Sequence, residues 1–193
     1  LGIGKDMTER VLLHICCGPC ALYPVAALRG ENFELTGFYY NPNIHPYQEY
    51  LKRRGALEDV VRKFDLRMVW EDDYHALDYF RAVSFREEQR CRICYWLRFS
   101  ETARLAHKEK FDYFTSTIFY SRFQKHELAK EIAEAVAKEH NVKFLYRDFR
   151  TGWKQGIEQS LALGIYRQKY CGCIYSEYER FHKKKTLSQE GVG

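Results

Sequence analysis

The chain has 193 residues, a net charge of +5 from 31 basic and 26 acidic side chains, and is 46% hydrophobic and 16% aromatic. That length suits one folded domain with a real core, and that composition excludes a disordered chain. No apolar run approaches the roughly eighteen residues of a membrane span, and Leu1 to Arg10 has no stretch typical of a secretory signal, so a cytoplasmic protein whose seven cysteines stay reduced or bind metal is expected.

Regular structure is expected from Arg10, where Val11-Leu12-Leu13-His14-Ile15 reads as a short buried strand that Gly18-Pro19 breaks. Cys20 to Leu28 reads as a helix opened near a proline and closed by Arg29-Gly30. Phe33 to Tyr40 is a second strand, and Asn41-Pro42-Asn43 a turn. Tyr47 to Phe64 is a long polar-faced helix with Leu51, Leu57, Val60 and Val61 on its apolar side, and Leu66 to Trp70 is a third strand. Asp72 to Arg81 reads as a short helix and Glu87 to Lys110 as a long one, with Cys91 and Cys94 near its start. Phe111 to Phe119, rich in Thr and aromatics, is a fourth strand. Lys125 to His140 is an amphipathic helix with Leu128, Ala129, Ile132, Ala133 and Val136 at helical spacing. Val142 to Tyr146 is a fifth strand, and Gly152 to Leu163 a helix stopped by Gly164. The last cysteines fall in a loop, before a basic run and a Gly-containing tail.

Strands alternating with long helices predict an α/β fold, a five-stranded parallel sheet with helices on both faces. Residues around 71–100 are expected to be a helical insertion packing over the site. A single catalytic domain is expected over 7–185 and a flexible tail over 186–193. Ligands on such sheets bind at the carboxyl ends of the strands, which is where Cys16, Cys17 and Cys20 fall.

All seven cysteines lie in clusters: Cys16-Cys17-Gly18-Pro19-Cys20, Cys91-Arg92-Ile93-Cys94 and Cys171-Gly172-Cys173. Core cysteines would fall singly on apolar faces. Structural zinc wants paired two-residue spacings and four ligands; only Cys91/Cys94 has that form away from a strand end, and seven thiols exceed one zinc. Cys17-Gly-Pro-Cys20 matches a dithiol redox tetrapeptide. Here, however, it follows the first strand, and all four prolines lie before residue 47. An iron–sulfur cluster needs about four thiolates in a protected pocket, which segments far apart in sequence can supply above a sheet edge. That third reading uses the most observations.

These motifs resemble the QueH family of epoxyqueuosine reductases. The likeness is carried by His14-Ile-Cys16-Cys17-Gly-Pro-Cys20, Cys91-Arg-Ile-Cys94-Tyr95 and Tyr166-Arg167-Gln168-Lys169-Tyr170-Cys171-Gly172-Cys173-Ile-Tyr-Ser176. Phe114 to Thr117, Gln124 to Glu127 and Asp148 to Trp153 extend it, so that it spans about residues 10–180. At Ser121-Arg122 the chain departs from the Ser-Pro expected after the fourth strand. The resemblance implies a nucleotide α-hydrolase type of fold and cobalamin-independent reduction of the epoxide of epoxyqueuosine in a tRNA anticodon loop. It also implies a [4Fe-4S] cluster with a further iron beside it. An epoxide oxygen leaves poorly unless something takes up its developing charge, which suits a Lewis-acidic iron. On this reading Cys17, Cys91, Cys94 and Cys171 hold the cluster, while Cys16 and Cys173 bind the second iron.

His14 and Asp148 are candidate catalytic groups, by tuning the centre or delivering a proton. Arg150, His126, Arg167, Gln168 and Tyr170 are candidate substrate contacts, and an external donor must supply electrons. Tyr120 is expected to be a packed ring. Lys143 to Lys185 carries ten basic against four acidic residues, a net +6, so the rest of the chain is −1. Aromatics interleave there, as a surface for tRNA phosphates and unstacked bases requires. Two other classes stay open: a thiol–disulfide oxidoreductase using Cys17 and Cys20, and a zinc-stabilised RNA-binding module. An ATP-dependent tRNA thiolation enzyme is a closer relative in fold, but no Ser-Gly-Gly phosphate loop follows the first strand.

Overall fold

Val11, Leu12 and Leu13 have no polar alternation and are wholly buried. A run of this kind forms a strand only where both faces of the sheet are covered. Accordingly β1 (Arg10–His14) is the central strand of five, in a computed structural model that describes residues 8–182. Its neighbours are β2 (Glu34–Tyr39), β3 (Arg67–Trp70), β4 (Tyr113–Ser116) and β5 (Lys143–Phe144). The order is β3-β2-β1-β4-β5 and every pair is parallel. The expected α/β architecture is therefore present.

Parallel neighbours need long crossovers, and the described residues form seven helices: α1 (Gly18–Gly30), α2 (Tyr47–Phe64), α3 (Ala76–Val83), α4 (Arg90–Lys108), α5 (His126–Glu139), α6 (Trp153–Ala162) and α7 (Ile174–Phe181). α1 packs against α2 and α6, while α4 packs against β1, β4 and α5. Right-handed crossovers place these two sets on opposite faces of the sheet. The strand order reverses between β1 and β4, and there the carboxyl ends diverge into a crevice. No helix among the described residues is long and apolar enough to cross a membrane.

Several boundaries differ from the sequence reading for local reasons. The fourth strand stops at Ser116 because the Ser116 hydroxyl accepts from the Ile118 amide and turns the chain into a 3-10 turn over Thr117–Tyr120. The inserted piece is shorter than 71–100: α4 is the crossover helix itself, so only the segment before it, with α3 and a 3-10 turn at Glu87–Gln89, is additional. The last cysteines do fall in a loop, and α7 follows directly after Cys173, its first turn tied by the Ser176 hydroxyl donating to the Cys173 carbonyl at 2.7 Å. Lys183 to Lys185 and the expected tail lie outside the described residues.

Candidate metal centre

The first cysteine group sits in the crevice between β1 and β4. The Cys16 amide donates to Thr117 Oγ1 at 3.1 Å, and the Thr117 hydroxyl in turn faces Cys16 Sγ at 3.4 Å. Cys16 and Cys17 Sγ are 3.7 Å apart. With Cys20, one turn into α1, all three sulfurs lie within 4.8 Å of one another. Gly18 makes this possible: a Cβ there would stand 2.4 Å from the Ala56 carbonyl oxygen of α2, so only glycine lets the loop lie this close.

The second group is assembled from α4 and the third motif. Cys94 and Cys173 share a buried cluster with Tyr79 and Val83 of α3, and Cys171 neighbours Cys173. Cys91, one turn before Cys94, acts on it electrostatically. Arg53 clamps the third motif from α2, donating to the carbonyls of Cys171 at 2.9 Å and Tyr170 at 3.0 Å. Its Nε donates to Glu49 at 2.8 Å, and Glu49 also accepts from the Tyr166 hydroxyl at 2.6 Å. Gly172 has φ 144°, and a Cβ there would press on Asn43 and Arg53 at 3.2 and 3.3 Å, so the turn between the two cysteines calls for glycine.

Buried Arg98 joins the two groups. It donates to Cys94 Sγ at 3.0 Å and to the Cys94 carbonyl at 3.2 Å, and its charge also acts with those of Cys16 and Cys171. Each group holds one thiol that ionises easily. Hydrogen bonds from Cys17 and Cys20 pull Cys16 well below the usual thiol range, and the Cys171 thiol draws Cys173 down to about 5. The neighbours move the other way. Burial raises Cys17 and lifts Cys94 to about 11, Cys16 pushes Cys20 up, and Cys173 pushes Cys171 up.

The predicted site residues divide by position. His14 lies under the first group with both ring nitrogens engaged, Nδ1 with Ser116 Oγ at 2.9 Å and Nε2 with the Tyr40 carbonyl at 3.1 Å. A carbonyl only accepts, so Nε2 carries the proton and Nδ1 accepts from the serine hydroxyl. Burial holds this ring down to about 3, leaving it neutral and without a free proton for a substrate. Gln168 does reach the centre, its amide donating to Cys20 Sγ at 3.3 Å. Tyr170 instead packs under the Arg53 guanidinium and donates to the His45 carbonyl, a supporting rather than an open position. His126 is buried at the start of α5, bonded to the Tyr146 hydroxyl at 2.9 Å. Asp148 is gripped by Arg150 at 2.8 and 2.6 Å, which holds its carboxyl down to about 2. Arg167 is exposed and has no carboxylate partner among the described residues. Tyr120 is the packed ring expected, donating to the Trp153 carbonyl at 3.1 Å.

Sequence reasoning missed Arg98, Arg53 and Tyr79. Arg98 had a legible signal, since it follows Cys94 by four residues and Cys91 by seven, on the same helical face. Glu49 and Arg53 have the spacing of an ordinary surface pair, and nothing local distinguishes them from one.

The family model described as epoxyqueuosine reductase QueH matches residues 11–179. Epoxyqueuosine reductase QueH of Dehalococcoides mccartyi is 40% identical over 180 residues, covering 93% of this chain and 99% of that one. The protein of the same description from Thermotoga maritima is 33% identical over 190 residues, covering 93% and 96%. Among solved structures, a "predicted subunit of tRNA methyltransferase" from Methanocaldococcus jannaschii superposes with a TM-score of 0.56 at 9% identity, over 79% of this chain and 74% of that one. That last likeness concerns the fold alone.

Proposed function

The chain belongs to the QueH family of epoxyqueuosine reductases, and from that premise we propose that it reduces the epoxide of epoxyqueuosine in a tRNA anticodon loop to the alkene of queuosine. Two electrons and two protons enter and one water leaves, with an external donor supplying the electrons. The observation that carries this reading is the meeting of three distant cysteine segments: Cys16, Cys17 and Cys20 lie within 4.8 Å of one another, Cys94 and Cys173 share one buried cluster, and buried Arg98 acts on Cys94, Cys16 and Cys171 alike.

The donor set fits iron. Thiolates are the soft ligands that iron–sulfur clusters use, and the four-thiol group has the number one cluster takes. The buried Tyr79 hydroxyl and Gln168 Oε1, one beside each group, have no protein partner among the described residues and are available to a bound group. We assign Cys91, Cys94, Cys171 and Cys173 to a [4Fe-4S] cluster and Cys16, Cys17 and Cys20 to an adjacent iron. This follows the spatial grouping, exchanges the places expected for Cys17 and Cys173 from the family resemblance, and adds Cys20 to the iron site. Bound there, such a pair would supply one-electron transfer and a Lewis acid for the epoxide oxygen.

The chain's own residues prepare that environment. Thr117 orients Cys16, Arg53 fixes the third motif, Arg98 balances thiolate charge, and α3 covers Cys94 and Cys173 against water. Reduced thiols in this number suit the cytoplasm. A dithiol exchange site fits less well, because Cys17 and Cys20 are both buried with their thiols pushed up, whereas an attacking thiol needs the reverse.

Anaerobic purification followed by a visible spectrum, metal and acid-labile sulfide analysis, and turnover of epoxyqueuosine-containing tRNA tests the reading. A brown protein with about four or five irons and four sulfides per chain is expected. A colourless protein holding zinc and no sulfide would refute it.

A further inference from the structure

Phe123 is 82% exposed, in the loop between the 3-10 turn after β4 and α5. A single exposed apolar side chain needs no explanation, but this ring belongs to an ordered array. It meets Trp153, the first residue of α6, edge to face with centroids 5.7 Å apart at 76°. Trp153 in turn leans on buried Tyr120 at 5.1 Å, and Tyr120 lies within electrostatic reach of Cys20 and Cys17. A row of rings thus runs from the first cysteine group to the surface.

The row is held in place. A Cβ at Gly156 would fall 2.2 Å from the Tyr120 hydroxyl, and one at Gly152 would fall 2.1 Å from the Tyr23 ring, which stacks on Tyr120. The Phe123 amide donates to Ser121 Oγ at 3.3 Å, pinning the loop at its outer end. The guanidinium of Arg122 lies 5.9 Å from the Trp153 ring centroid, and the charge of Arg167 reaches the same Tyr120. Neither guanidinium has a carboxylate partner among the described residues, whereas nearby Arg150 and Lys154 are paired.

An exposed ring set edge to face on an indole, with one unneutralised guanidinium beside the indole and a second whose charge reaches Tyr120 in the same row, has the chemistry of a single-stranded nucleic acid site. Bases stack on such rings whatever their sequence, and guanidiniums take the adjoining phosphates. We propose that Phe123 and Trp153 form a corner on which an unstacked base of the tRNA anticodon loop stacks, with Arg122 and Arg167 on the flanking phosphates. The inference rests on the reading of the chain as a tRNA-modifying enzyme and adds to it the surface that positions the loop.

The test is direct binding of a fluorescently labelled anticodon stem-loop to the metal-loaded protein, beside steady-state turnover of epoxyqueuosine-containing tRNA. Phe123→Ala is expected to weaken binding about 5- to 150-fold, the alanine cost of one stacked base, with the kinetic loss in KM rather than kcat. Phe123→Tyr should restore binding and Phe123→Leu should not, because stacking needs a ring and mere burial does not. Wild-type affinity in Phe123→Ala or Phe123→Leu, with wild-type turnover intact, would overturn the stacking corner and leave the function standing. Phe123-dependent binding without turnover would support the corner and refute the enzymatic reading. A wild-type protein that binds no stem-loop would refute both.

Discussion

Arg98 Nη2 stands 3.0 Å from Cys94 Sγ, one helical turn away on α4, and both side chains are buried. No carboxylate neutralises Arg98 among the described residues, so the anions available to this guanidinium are thiolates, that of Cys16 and, once a metal replaces its proton, that of Cys94. A cation taken out of water without an anion costs several kcal/mol. The arrangement is therefore most stable when the thiols around Arg98 are ionised, the state in which they bind metal.

Arg98→Gln removes that charge and is expected to lower iron and sulfide per chain. Any cluster retained should show a more negative midpoint potential, because its reduced state loses a stabilising cation. The metal-loaded protein should be destabilised by about 3–5 kcal/mol, the cost of breaking a buried charge pair. Arg98→Lys keeps the charge without the two-point contact and should fall between. Metal content and potential equal to wild type in Arg98→Gln would contradict this account.

Gly18→Ala would place a methyl group 2.4 Å from the Ala56 carbonyl oxygen, and backbone cannot swing aside. α1 and α2 must separate, at a cost of about 1–3 kcal/mol. Because Gly18 lies between Cys17 and Cys20, iron content should fall together with the denaturation midpoint. Loss of stability with full iron content would show that the loop tolerates the shift.

Asp148→Asn tests whether this carboxylate carries a proton. Its folded-state pKa of about 2 lies below the ordinary 3.8, chiefly through its hydrogen bonds with Arg150. The stabilisation is thus complete above about pH 4 and is lost as pH falls toward 2. The variant should be slightly less stable than wild type at neutral pH and equal to it near pH 2, with no change in the shape of the pH–rate profile between pH 5 and 9. Disappearance of an acidic limb in the variant would restore Asp148 as a proton donor.

Arg167→Ala should reduce the salt dependence of tRNA binding. Each phosphate neutralised on a single strand contributes about 0.7 to the slope of log K against log salt, so removing one cationic partner lowers the slope by about that amount. Lys154→Ala is the control, because Lys154 already faces Glu158 at 3.9 Å. Equal slopes for wild type and Arg167→Ala would remove Arg167 from the interface.

Local pattern was enough to find five strands, the long crossover helices and the three cysteine motifs. Val11 to Leu13 announces a strand covered on both faces, and Ala129, Ile132, Ala133 and Val136 announce one face of a helix, because periods of two and 3.6 are properties of adjacent residues. The family likeness was legible for the same reason, since each of its motifs is a short continuous string. Which thiols are neighbours was not legible. Cys17 joins Cys16 and Cys20 because they lie on one turn of chain, but Cys173 meets Cys94 only because α4 crosses back to β4, α2 clamps the third motif, and α3 closes over both. The fate of single polar residues was equally hidden. Arg53 and Glu49 have the spacing of a surface pair and are buried. Charge, burial and ligand grouping depend on contacts made across the whole sheet, and only the order in which the strands pack decides those.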